Sequence, residues 1–599
     1  MLEAVNDFKG QSFDKLRRSC LRRGALFKDP LFPATNQSLF YKRSPPPGLT
    51  WKRPREICRD PRLFVDGIST RDLHQGSLGN CWMVAAISCL ASEPSLWKKV
   101  IPNHMDQEWN EKRSDLYAGI FHFRFWRFGH WVDVVVDDCL PVSQDGVLLF
   151  CRSATPREFW SALLEKAYAK LNGCYEALEG GNTAEALIDF TGGVSEPLSL
   201  DCEALGLSSE RRKALFQTLA KVHEHKSLIT CSIRGETVES VLDCGLVRGH
   251  AYGITAVRKV RLVENPPRTG GTSRLFMVRM RNPWGTTDWK GAWSQGSEQW
   301  QQLSRAEREK MGIVVRDVGE FWMDFQDFCC YFTDVVVCRL VQRTLLWPKV
   351  TEEMDRRSRC GGCINHRDSF LHNPQFMFEV QSKEEEVLIC LQQEDRRVLK
   401  KNGGGENLPI GFEVLKVEVN RCSRVQLVVE QAASSIYMDS RSVTLRGTLA
   451  SGRYVVLPTT FLPGDTGRFL LRLFSHSHVQ LRCAKAQKGQ RKSSWPPDVY
   501  AVVRCEGDAV RTRVFKEDGN PEFNLRAIFY RRYPDNNISV ELWSTGLLWD
   551  SLLGAARLQT TEFERSRSLV IDLRRGRSRS GSRGCVHVET STSACLTDL

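Results

Sequence analysis

Apolar and polar residues recur along this chain with two different periods. Between residues 158 and 171, apolar side chains return every three or four positions, and Trp160, Leu163 and Leu164 share one stripe. This spacing predicts an amphipathic helix. A second helix is predicted over the apolar run Cys81–Ala91. The first part of the chain is therefore expected to be mostly helical.

Beyond about residue 188, short apolar runs of strand length replace the helical pattern. Further on, apolar and polar positions alternate, as they do in antiparallel sheets that bury one face. Two alternating regions are separated by a basic stretch rich in Ser and Pro, which is typical of a linker. The predicted strands include Ser227–Ile233, Ala251–Ala256, Leu275–Arg281, Val387–Leu391, Tyr454–Leu457, Val499–Val503 and Ile538–Trp543.

These patterns predict an α+β protein of several domains. With 599 residues, the chain is long enough for roughly three to five domains that each bury a core. The predicted segments are an N-terminal segment (1–25), a helical half (26–187), a strand-containing half (188–342), a first antiparallel β-sandwich (343–482), a linker (483–497) and a second antiparallel β-sandwich (498–599).

Composition narrows the class of protein. The chain is 41% hydrophobic and 26% charged, which is ordinary for a globular protein. It has no run of 18 apolar residues, and its start lacks a basic-then-apolar secretory signal. The 21 cysteines are scattered without the spacing of a disulfide framework. These features predict reduced thiols and a cytoplasmic location, with a membrane-associated or nuclear location as alternatives.

The net charge is +13, from 84 basic and 71 acidic residues. Part of the excess lies in the Arg/Ser run between residues 574 and 583. A basic excess favours an anionic membrane surface as a partner, whereas the alternative reading of this run is a solvated loop. The sequence contains no fold or aromatic platform for nucleic acid, so no nucleic-acid partner is expected.

Three short segments carry the candidate chemistry. Cys81 ends the stretch Gln-Gly-Ser-Leu-Gly-Asn-Cys, His250 lies in Gly-His-Ala-Tyr, and Asn282 lies in Arg-Asn-Pro-Trp-Gly. In papain-type cysteine proteases, an imidazole draws a thiol into its thiolate form, and an amide oxygen orients the ring. Gln75 is placed to donate to the oxyanion, together with the backbone N–H of Cys81 at the start of its helix.

Each of these residues also has an ordinary structural explanation. A cysteine on an apolar helix is usually a small buried side chain, and a histidine beside an aromatic residue is usually satisfied in the core. An asparagine before proline usually marks a turn. The order of the three residues favours catalysis, and their flanking motifs have to carry the assignment.

The flanking motifs resemble those of the calpain family of cysteine proteases. The resemblance covers a core over roughly residues 26–340 and continues through the first sandwich. The end of the chain resembles a C2 domain, and no EF-hand tail is seen. A C2 tail in place of EF-hands characterises the atypical branch of the family. The matching motifs are Lys28–Ala34, Asp60–Gly67, Glu158–Lys170, Asp189–Gly193, Gly319–Met323, Gly361–Cys363, Asn373–Phe376 and Gly467–Arg472.

The resemblance implies a two-lobed papain-like core, with the cysteine in the first lobe and the histidine and asparagine in the second. Two antiparallel β-sandwiches follow, a C2-like domain and a C-terminal C2 domain. Within the core, Cys81 would be the nucleophile, His250 the general base and then acid, and Asn282 the residue that orients His250. Gln75 would donate to the oxyanion, and Trp284 would shield the His–Asn bond. A plain buried tryptophan remains the alternative for Trp284.

The resemblance also implies Ca²⁺ as a cofactor, with one site in each lobe. In calpains these ions bring the two lobes into register, which is a shift of population toward the closed arrangement. The first site would use the carbonyl groups of Val65 and Gly67 and the carboxylates of Asp72 and Glu158.

The second calcium site departs from the family pattern. Its ligand positions fall on Asp288, Gln295, the carbonyl near Arg316, Val318 and Glu320. Gln295 is neutral and Val318 has no side-chain oxygen, so two expected carboxylates are missing, and calcium draws much of its affinity from carboxylate charge. We therefore expect a weak or empty second site. The C2 tail has few acidic loop residues, among them Asp498 and Asp550, and is expected to be calcium-independent.

A zinc site is a further alternative, because Cys360, Cys363, His366 and His372 have zinc-like spacing. Cys363, however, belongs to a strand motif of the family, which explains it without a metal. The sequence thus favours the structural explanation for this group.

Two hypotheses follow from the resemblance. The first is a calcium-dependent intracellular cysteine endopeptidase that makes limited cuts in protein substrates. The second is a non-proteolytic scaffold or membrane adaptor on the same frame, as in a relative whose nucleophile is replaced. The intact Cys81, His250 and Asn282 favour the first, and the altered second calcium site favours the second. A small EF-hand subunit is not an expected partner, because the tail that would pair with it is missing.

Overall fold

The computed structural model describes most of the two-part core, of the β-rich region that follows it and of the β-rich tail. Side chains are not described for Arg71, Glu111, Ser551 and Arg567. The described residues are 5–235, 239–262, 274–286, 288–312, 319–340, 359–421, 423–428, 430–475, 477, 479, 481–484, 498–515, 521–529, 531–533, 536–545, 550–559, 567–573 and 585–590.

The chain divides into two compact units. The larger unit contains both halves of the core and most of the first β-rich region, and the smaller unit contains the tail. Within the described residues, none of the helices has the length and apolarity needed to cross a membrane. The larger unit comprises Met1–Pro374, Phe378–Lys416 and Val429–Leu481, and the smaller comprises Gln375–Met377, Val417–Val428 and Arg482–Leu599.

The first half of the core surrounds the helix Cys81–Ala91. Every residue from Trp82 to Ala91 is buried, because the helix is apolar on all sides and packs inside the largest hydrophobic cluster. The elements of this half are β1 (Val5–Asp7), α1 (Phe13–Arg23), α2 (Asn36–Leu39), β2 (Thr50–Lys52), α3 (Pro54–Ile57), α4 (Cys81–Ala91), α5 (Pro94–Val100), α6 (His104–Gln107), β3 (Ile120–Arg127), β4 (His130–Asp137), β5 (Leu140–Val142), α7 (Trp160–Asn172) and α8 (Thr183–Thr191).

The second half of the core is an antiparallel sheet with helices packed on it. The six strands lie in the order β12-β11-β10-β7-β13-β6, and their apolar side chains form a second cluster with three of the helices. The elements are β6 (Val194–Ser199), α9 (Cys202–Leu207), α10 (Ser209–Glu224), β7 (Leu228–Ile233), β8 (Ser240–Val241), β9 (Val247–Arg248), β10 (His250–Arg261), β11 (Arg274–Arg281), α11 (Arg305–Lys310), β12 (Glu320–Asp324), α12 (Phe325–Tyr331) and β13 (Asp334–Arg339).

Helices α4 and α8 join the two halves. Helix α4 packs against strand β10, and the Cys89 thiol donates to the carbonyl oxygen of Ile229 at 3.1 Å. Gly253 makes the close approach possible, because a Cβ at this position would lie 2.8 Å from the carbonyl oxygen of Ala85. Helix α8 runs continuously across the predicted domain boundary between residues 187 and 188, and its Phe190 belongs to the first core.

The β-rich region that follows the core is one sheet of long antiparallel strands. The order is β16-β15-β17-β14-β18, and a short strand β19 also pairs with β14. The strands are β14 (Phe376–Gln393), β15 (Ile410–Val417), β16 (Glu430–Ser434), β17 (Ser442–Thr460), β18 (Phe469–Ser475) and β19 (Arg482–Cys483).

The tail is also built of antiparallel strands. Four of them form a sheet in the order β21-β20-β22-β23, and the last two form a separate ribbon. The tail strands are β20 (Val499–Cys505), β21 (Asp508–Arg511), β22 (Ile538–Ser544), β23 (Ser551–Leu558), β24 (Arg567–Asp572) and β25 (Cys585–Thr590).

These elements confirm the predicted α+β class and most predicted elements. The helix over Cys81–Ala91 is confirmed with the same limits, and the amphipathic stretch 158–171 becomes α7. Six of the seven predicted strands lie within observed strands, and the seventh begins one residue later, at Leu228. Most of the predicted linker, residues 485–497, lies outside the described part of the chain.

A buried ion-pair network links the core to the β-rich region within the larger unit. Arg441 donates to both carboxylate oxygens of Asp189, at 2.8 and 3.1 Å, and to Asp395 at 2.6 Å. Arg127 pairs with the same two aspartates, and the Tyr168 hydroxyl donates to Asp189 at 2.6 Å. Since Asp189 is completely buried, its charge depends on these donors.

We expect Arg441→Met to lower the free energy of unfolding by about 3 kcal/mol, because it leaves the buried carboxylates short of a counter-charge. The matched control is Arg446→Met, which removes an exposed pair with Glu386 and should cost at most about 1 kcal/mol. Urea unfolding followed by tryptophan fluorescence measures both variants. Equal losses in the two variants would contradict the role given to the network.

Candidate active site

Cys81 is the first residue of α4, so its thiol lies at the helix N-terminus. It is partly exposed, whereas the rest of the helix is buried. Asn80, just before it, is completely buried and donates its side-chain amide to Glu165 at 2.7 Å. Glu165 also accepts the backbone N–H of Cys151 at 2.8 Å. The start of the helix, and with it the position of Cys81, is thereby fixed by α7.

His250 is the first residue of β10, and Asn282 directly follows β11, the neighbouring strand. The Nε2 atom of His250 donates to the Oδ1 atom of Asn282 at 2.9 Å, in a donor assignment that the amide oxygen requires. The same oxygen accepts the backbone N–H of Trp284 at 3.0 Å, and the Asn282 amide donates to the Thr286 carbonyl at 2.9 Å. Asn282 is therefore held rigidly and fixes the tautomer of His250.

Trp284 lies beside this bond. Its ring centroid is 4.8 Å from that of His250, with 47° between the ring planes. The turn that places it ends at Gly285, whose φ of +66° lies in the left-handed region. A Cβ at Gly285 would lie 2.1 Å from the His74 ring, so a glycine is required there. The Asn-Pro-Trp-Gly motif is thus both a turn and the support of the asparagine.

The structure brings Cys81 and His250 together with a residue that sequence reasoning missed. The Nδ1 atom of His250 lies 2.8 Å from the Oε1 atom of Glu239. Ligand atoms of Cys81, Glu239 and His250 all lie within 4.8 Å of one another. Glu239 directly precedes the short strand β8, and nothing in its local sequence distinguishes it from a surface acid.

The charge state of His250 follows from this environment. Burial alone would lower the pKa of its ring, but hydrogen bonds with Cys81 and Glu239, and the charges of both groups, raise that pKa to about 9. The ring is then an imidazolium at neutral pH, which is the partner that a thiolate at Cys81 needs.

Gln75 lies between the two halves of the core. Its backbone N–H donates to the Pro283 carbonyl at 2.8 Å, next to Asn282. Its side-chain amide donates to the Leu78 carbonyl at 2.6 Å. An amide nitrogen carries two hydrogens, so this bond leaves one hydrogen for an oxyanion.

The residues of the first predicted calcium site lie together. Glu158 is buried and accepts the backbone N–H of Val65 at 2.7 Å, and its second oxygen accepts the Ser153 hydroxyl at 2.6 Å. Asp72 is also buried and neighbours Glu158. Gly67 follows in the same loop with a φ of +95°. Asp72, Glu158 and the backbone of Val65 thus lie in one corner of the core, with Gly67 two residues further along the same loop.

The chemistry of this corner fits a hard cation. Burial raises the pKa of Asp72 and of Glu158, and the neighbouring Asp72 charge adds to the rise at Glu158. Burial disfavours the ionised form of both carboxyl groups, and a cation bound between them would stabilise both as anions. Carboxylate and carbonyl oxygens are the ligands that Ca²⁺ prefers.

The second predicted calcium site is arranged differently. Glu320 forms an ion pair with Arg279 at 3.4 Å and accepts the Thr255 hydroxyl at 3.1 Å. Asp288 accepts the backbone N–H of Gly319 at 2.9 Å, and Gln295 is exposed. Arg316 and Val318 lie outside the described residues. Glu320 is therefore already neutralised by an arginine, which opposes cation binding.

The two halves of the core contact each other near the two predicted calcium sites. The Thr70 hydroxyl donates to Glu320 at 3.3 Å, and the buried Arg281 donates to the Leu73 carbonyl at 3.3 Å. The segment that carries Asp72 thus touches the strand ends that carry Asn282. The halves lie in the arrangement in which Cys81, His250 and Asn282 meet.

The alternative zinc cluster does not form among the described residues. There, the one set of three or more His, Cys, Asp or Glu side chains with ligand atoms within 4.8 Å of one another is Cys81, Glu239 and His250. Cys363 is buried, and its carbonyl accepts the backbone N–H of His366 in a turn. In the tail, Asp550 accepts the Tyr500 hydroxyl at 2.7 Å.

Three family models match consecutive parts of the chain. A model of the calpain family cysteine proteases matches residues 27–339, and a model of domain III of the calpain large subunit matches residues 350–474. A C2 domain model matches residues 475–572.

Similar proteins include several calpains. Calpain-5 of Mus musculus is 47% identical over 639 aligned positions, which cover all of both chains. Calpain-5 of Caenorhabditis elegans is 38% identical over 595 positions, covering 90% of this chain and 91% of the relative. The Calpain-1 catalytic subunit of Mus musculus is 39% identical over 503 positions, covering 78% of this chain and 67% of the relative.

Glu165 gives a pH-dependent stability that can be measured. Burial raises the pKa of its carboxyl from 4.5 to about 7. The folded state then holds a proton that the unfolded state has lost, so stability falls as pH rises from about 4.5 to about 7, by about 3 kcal/mol. We expect Glu165→Gln to remove this dependence. The stability of the variant relative to wild type should therefore rise between pH 5 and pH 8. Thermal unfolding at both pH values measures the gain.

The control for this experiment is Glu203→Gln, which changes an exposed glutamate in α9. Its stability relative to wild type should be the same at both pH values. A pH dependence in the Glu165→Gln variant equal to that of wild type would show that the buried carboxyl does not titrate in this range.

Proposed function

We propose that this chain, which belongs to the calpain family of cysteine proteases, is a calcium-dependent endopeptidase that makes limited cuts in protein substrates. The observation that carries the proposal is the 2.9 Å bond from His250 Nε2 to Asn282. This bond commits Nε2 as a donor and leaves Nδ1 on the side of Glu239 and Cys81. A thiol–imidazole–amide arrangement with this tautomer supports nucleophilic catalysis on peptide bonds.

In the proposed reaction, the thiolate of Cys81 attacks the carbonyl carbon of the scissile peptide bond. The carbonyl oxygen becomes an oxyanion, to which the backbone N–H of Cys81 and the free amide hydrogen of Gln75 would donate. His250 gives its Nδ1 proton to the leaving amine, which breaks the C–N bond. A water molecule then gives its proton to His250 as it attacks the thioester, and Cys81 is released.

Contacts between the two halves support a role for calcium. The three reacting groups come from both halves of the core, so they meet only while contacts such as those of Arg281 and Thr70 hold. Asp72, Glu158 and the loop Val65–Gly67 would hold Ca²⁺ beside these contacts. The ion would supply positive charge to the buried carboxylates and so favour the closed arrangement.

One observation favours the second candidate, a non-proteolytic scaffold or membrane adaptor. Glu320, a ligand position of the second site, is paired with Arg279. Closure that depends on calcium at both sites would then be impaired. As a protease or as an adaptor, the protein would act in the cytoplasm. Its excess of basic residues would favour binding to an anionic membrane surface there, or a nuclear location.

Labelling of Cys81 by a peptidyl epoxide tests the proposed activity in the full-length protein. We expect labelling that rises with calcium and is lost in Cys81→Ser, because the epoxide reacts only with an activated thiolate in the cleft. Intact-mass spectrometry counts the labels, and circular dichroism confirms the fold. Labelling independent of calcium would contradict the calcium dependence. Absence of selective labelling in folded protein would favour the adaptor.

Substitutions in the two calcium sites should differ in effect. We expect Asp72→Asn to raise the calcium concentration for half-maximal labelling by about tenfold or more, because calcium affinity depends on carboxylate charge. Asp288→Asn should change it by less than about twofold, since the second site lacks two of its expected carboxylates and Glu320 is paired with Arg279. Titration calorimetry of the full chain should accordingly show one tight site. Equal effects of the two substitutions would contradict the proposed difference.

A further inference from the structure

The cluster of Cys81, Glu239 and His250 has the composition of a transition-metal site. Its ligand atoms, a thiol sulfur, a carboxylate oxygen and a ring nitrogen, lie within 4.8 Å of one another. In a tetrahedral zinc site with bonds of about 2.0 Å to nitrogen and 2.3 Å to sulfur, ligand atoms lie about 3.3–3.7 Å apart. The observed separations, 2.8 Å between Nδ1 of His250 and Oε1 of Glu239 and at most 4.8 Å for the others, lie on either side of this range.

The hydrogen bond on the other side of the His250 ring also suits a metal ligand. A metal-bound histidine usually donates its other ring N–H to an oxygen, which fixes the ring and raises its basicity. Here the Nε2 atom of His250 donates to Asn282 at 2.9 Å, and Asn282 is completely buried. Nδ1, the nitrogen that lies 2.8 Å from Glu239, is thus the one left to bind a metal.

We propose that Cys81, Glu239 and His250 bind Zn²⁺ and that the bound ion switches the peptidase off. Binding displaces the Nδ1 proton of the thiolate–imidazolium pair into solvent, and it forms one bond each to sulfur, nitrogen and oxygen. The fourth position of the tetrahedron is left for water. The thiolate is then no longer free to attack a carbonyl, and His250 no longer carries the proton for the leaving amine.

Zinc would not compete with calcium activation for ligands. A thiolate and an imidazole suit zinc, whereas calcium takes oxygen ligands such as those of Asp72 and Glu158. One chain would therefore hold an oxygen-rich activating site and a sulfur-containing inhibitory site for two different metals. Glu239 distinguishes this arrangement from a bare Cys–His pair, because it supplies the third ligand. The inhibitory part of the inference rests on the proposed function, and the binding part does not.

Co²⁺, a spectroscopic substitute for Zn²⁺, tests binding in the reduced full-length protein. Because the chain has 21 cysteines, the thiolate-to-cobalt absorption of Cys81 is read as the difference between wild type and Cys81→Ser. We expect a tetrahedral cobalt spectrum with this band, and loss of the band on adding Zn²⁺. Competition between the two metals gives the zinc affinity of each variant.

Glu239→Gln is the decisive variant, and Asp243→Asn, an exposed acid in the same region, is the matched control. Loss of an outer-shell partner alone costs about 10–100-fold in metal affinity, so loss of a ligand should weaken zinc binding by at least about tenfold. The control should bind zinc as tightly as wild type. Equal affinities of Glu239→Gln and Asp243→Asn, or a cobalt band that persists in Cys81→Ser, would overturn the site.

Inhibition is measured separately, as the zinc concentration that halves epoxide labelling at saturating calcium. We expect this concentration to rise by at least about tenfold in Glu239→Gln, in parallel with the affinity. If cobalt and zinc bind as expected but labelling is absent without zinc, the peptidase proposal fails and the metal site stands. If labelling is strong and zinc does not affect it, the inhibitory role fails.

Discussion

The packing of helix α4 on strand β10 is the contact on which the candidate site depends. Cys81 begins the helix and His250 begins the strand, so a shift between these two elements would separate the thiol from the imidazole. Gly253 permits the close approach, because any side chain there would collide with the backbone of α4. The helix is apolar on every side and is stable only when it is enclosed, so the burial that folds the core also sets the reacting groups together. Asn80 and Glu165 then hold the start of the helix in place.

Asn282 imposes a second constraint, which concerns the ring proton of His250 rather than the position of the ring. By accepting from Nε2 of His250, it decides which ring nitrogen faces Cys81 and Glu239. That choice would serve proton transfer in the proposed peptide cleavage, and it would equally leave the ring nitrogen Nδ1 for the proposed metal. Glu239 shows how one carboxylate changes the balance between the two. It stabilises the imidazolium, and it would also supply the third ligand of the proposed zinc site. The same geometry would thus support the proposed catalysis with calcium and its proposed suppression by zinc.

Buried carboxylates have different consequences in this chain because their neighbours differ. Asp189 is neutralised by Arg127 and Arg441, and it joins the core to the β-rich region. Asp72 and Glu158 are buried neighbours of each other, an arrangement that would suit the proposed calcium site. Glu320 occurs at a ligand position of the second site but is paired with Arg279. A carboxylate at a motif position therefore does not by itself make a metal site; its partner decides whether it binds an ion or a side chain.

The sequence by itself determined the elements and most of the chemistry. The apolar run of α4 and the strand-length runs of the second half predicted the helices and strands, because side-chain period is a local property. The motifs around Cys81, His250 and Asn282 resemble those of a known family, and that resemblance implied the two-lobed core. Only the tertiary structure decided what depends on distant neighbours. Glu239 reaches His250, Glu320 is paired with Arg279, and α8 continues across the predicted boundary. These outcomes depend on which charges and apolar faces come into contact in the folded chain. A local sequence pattern does not specify such long-range contacts.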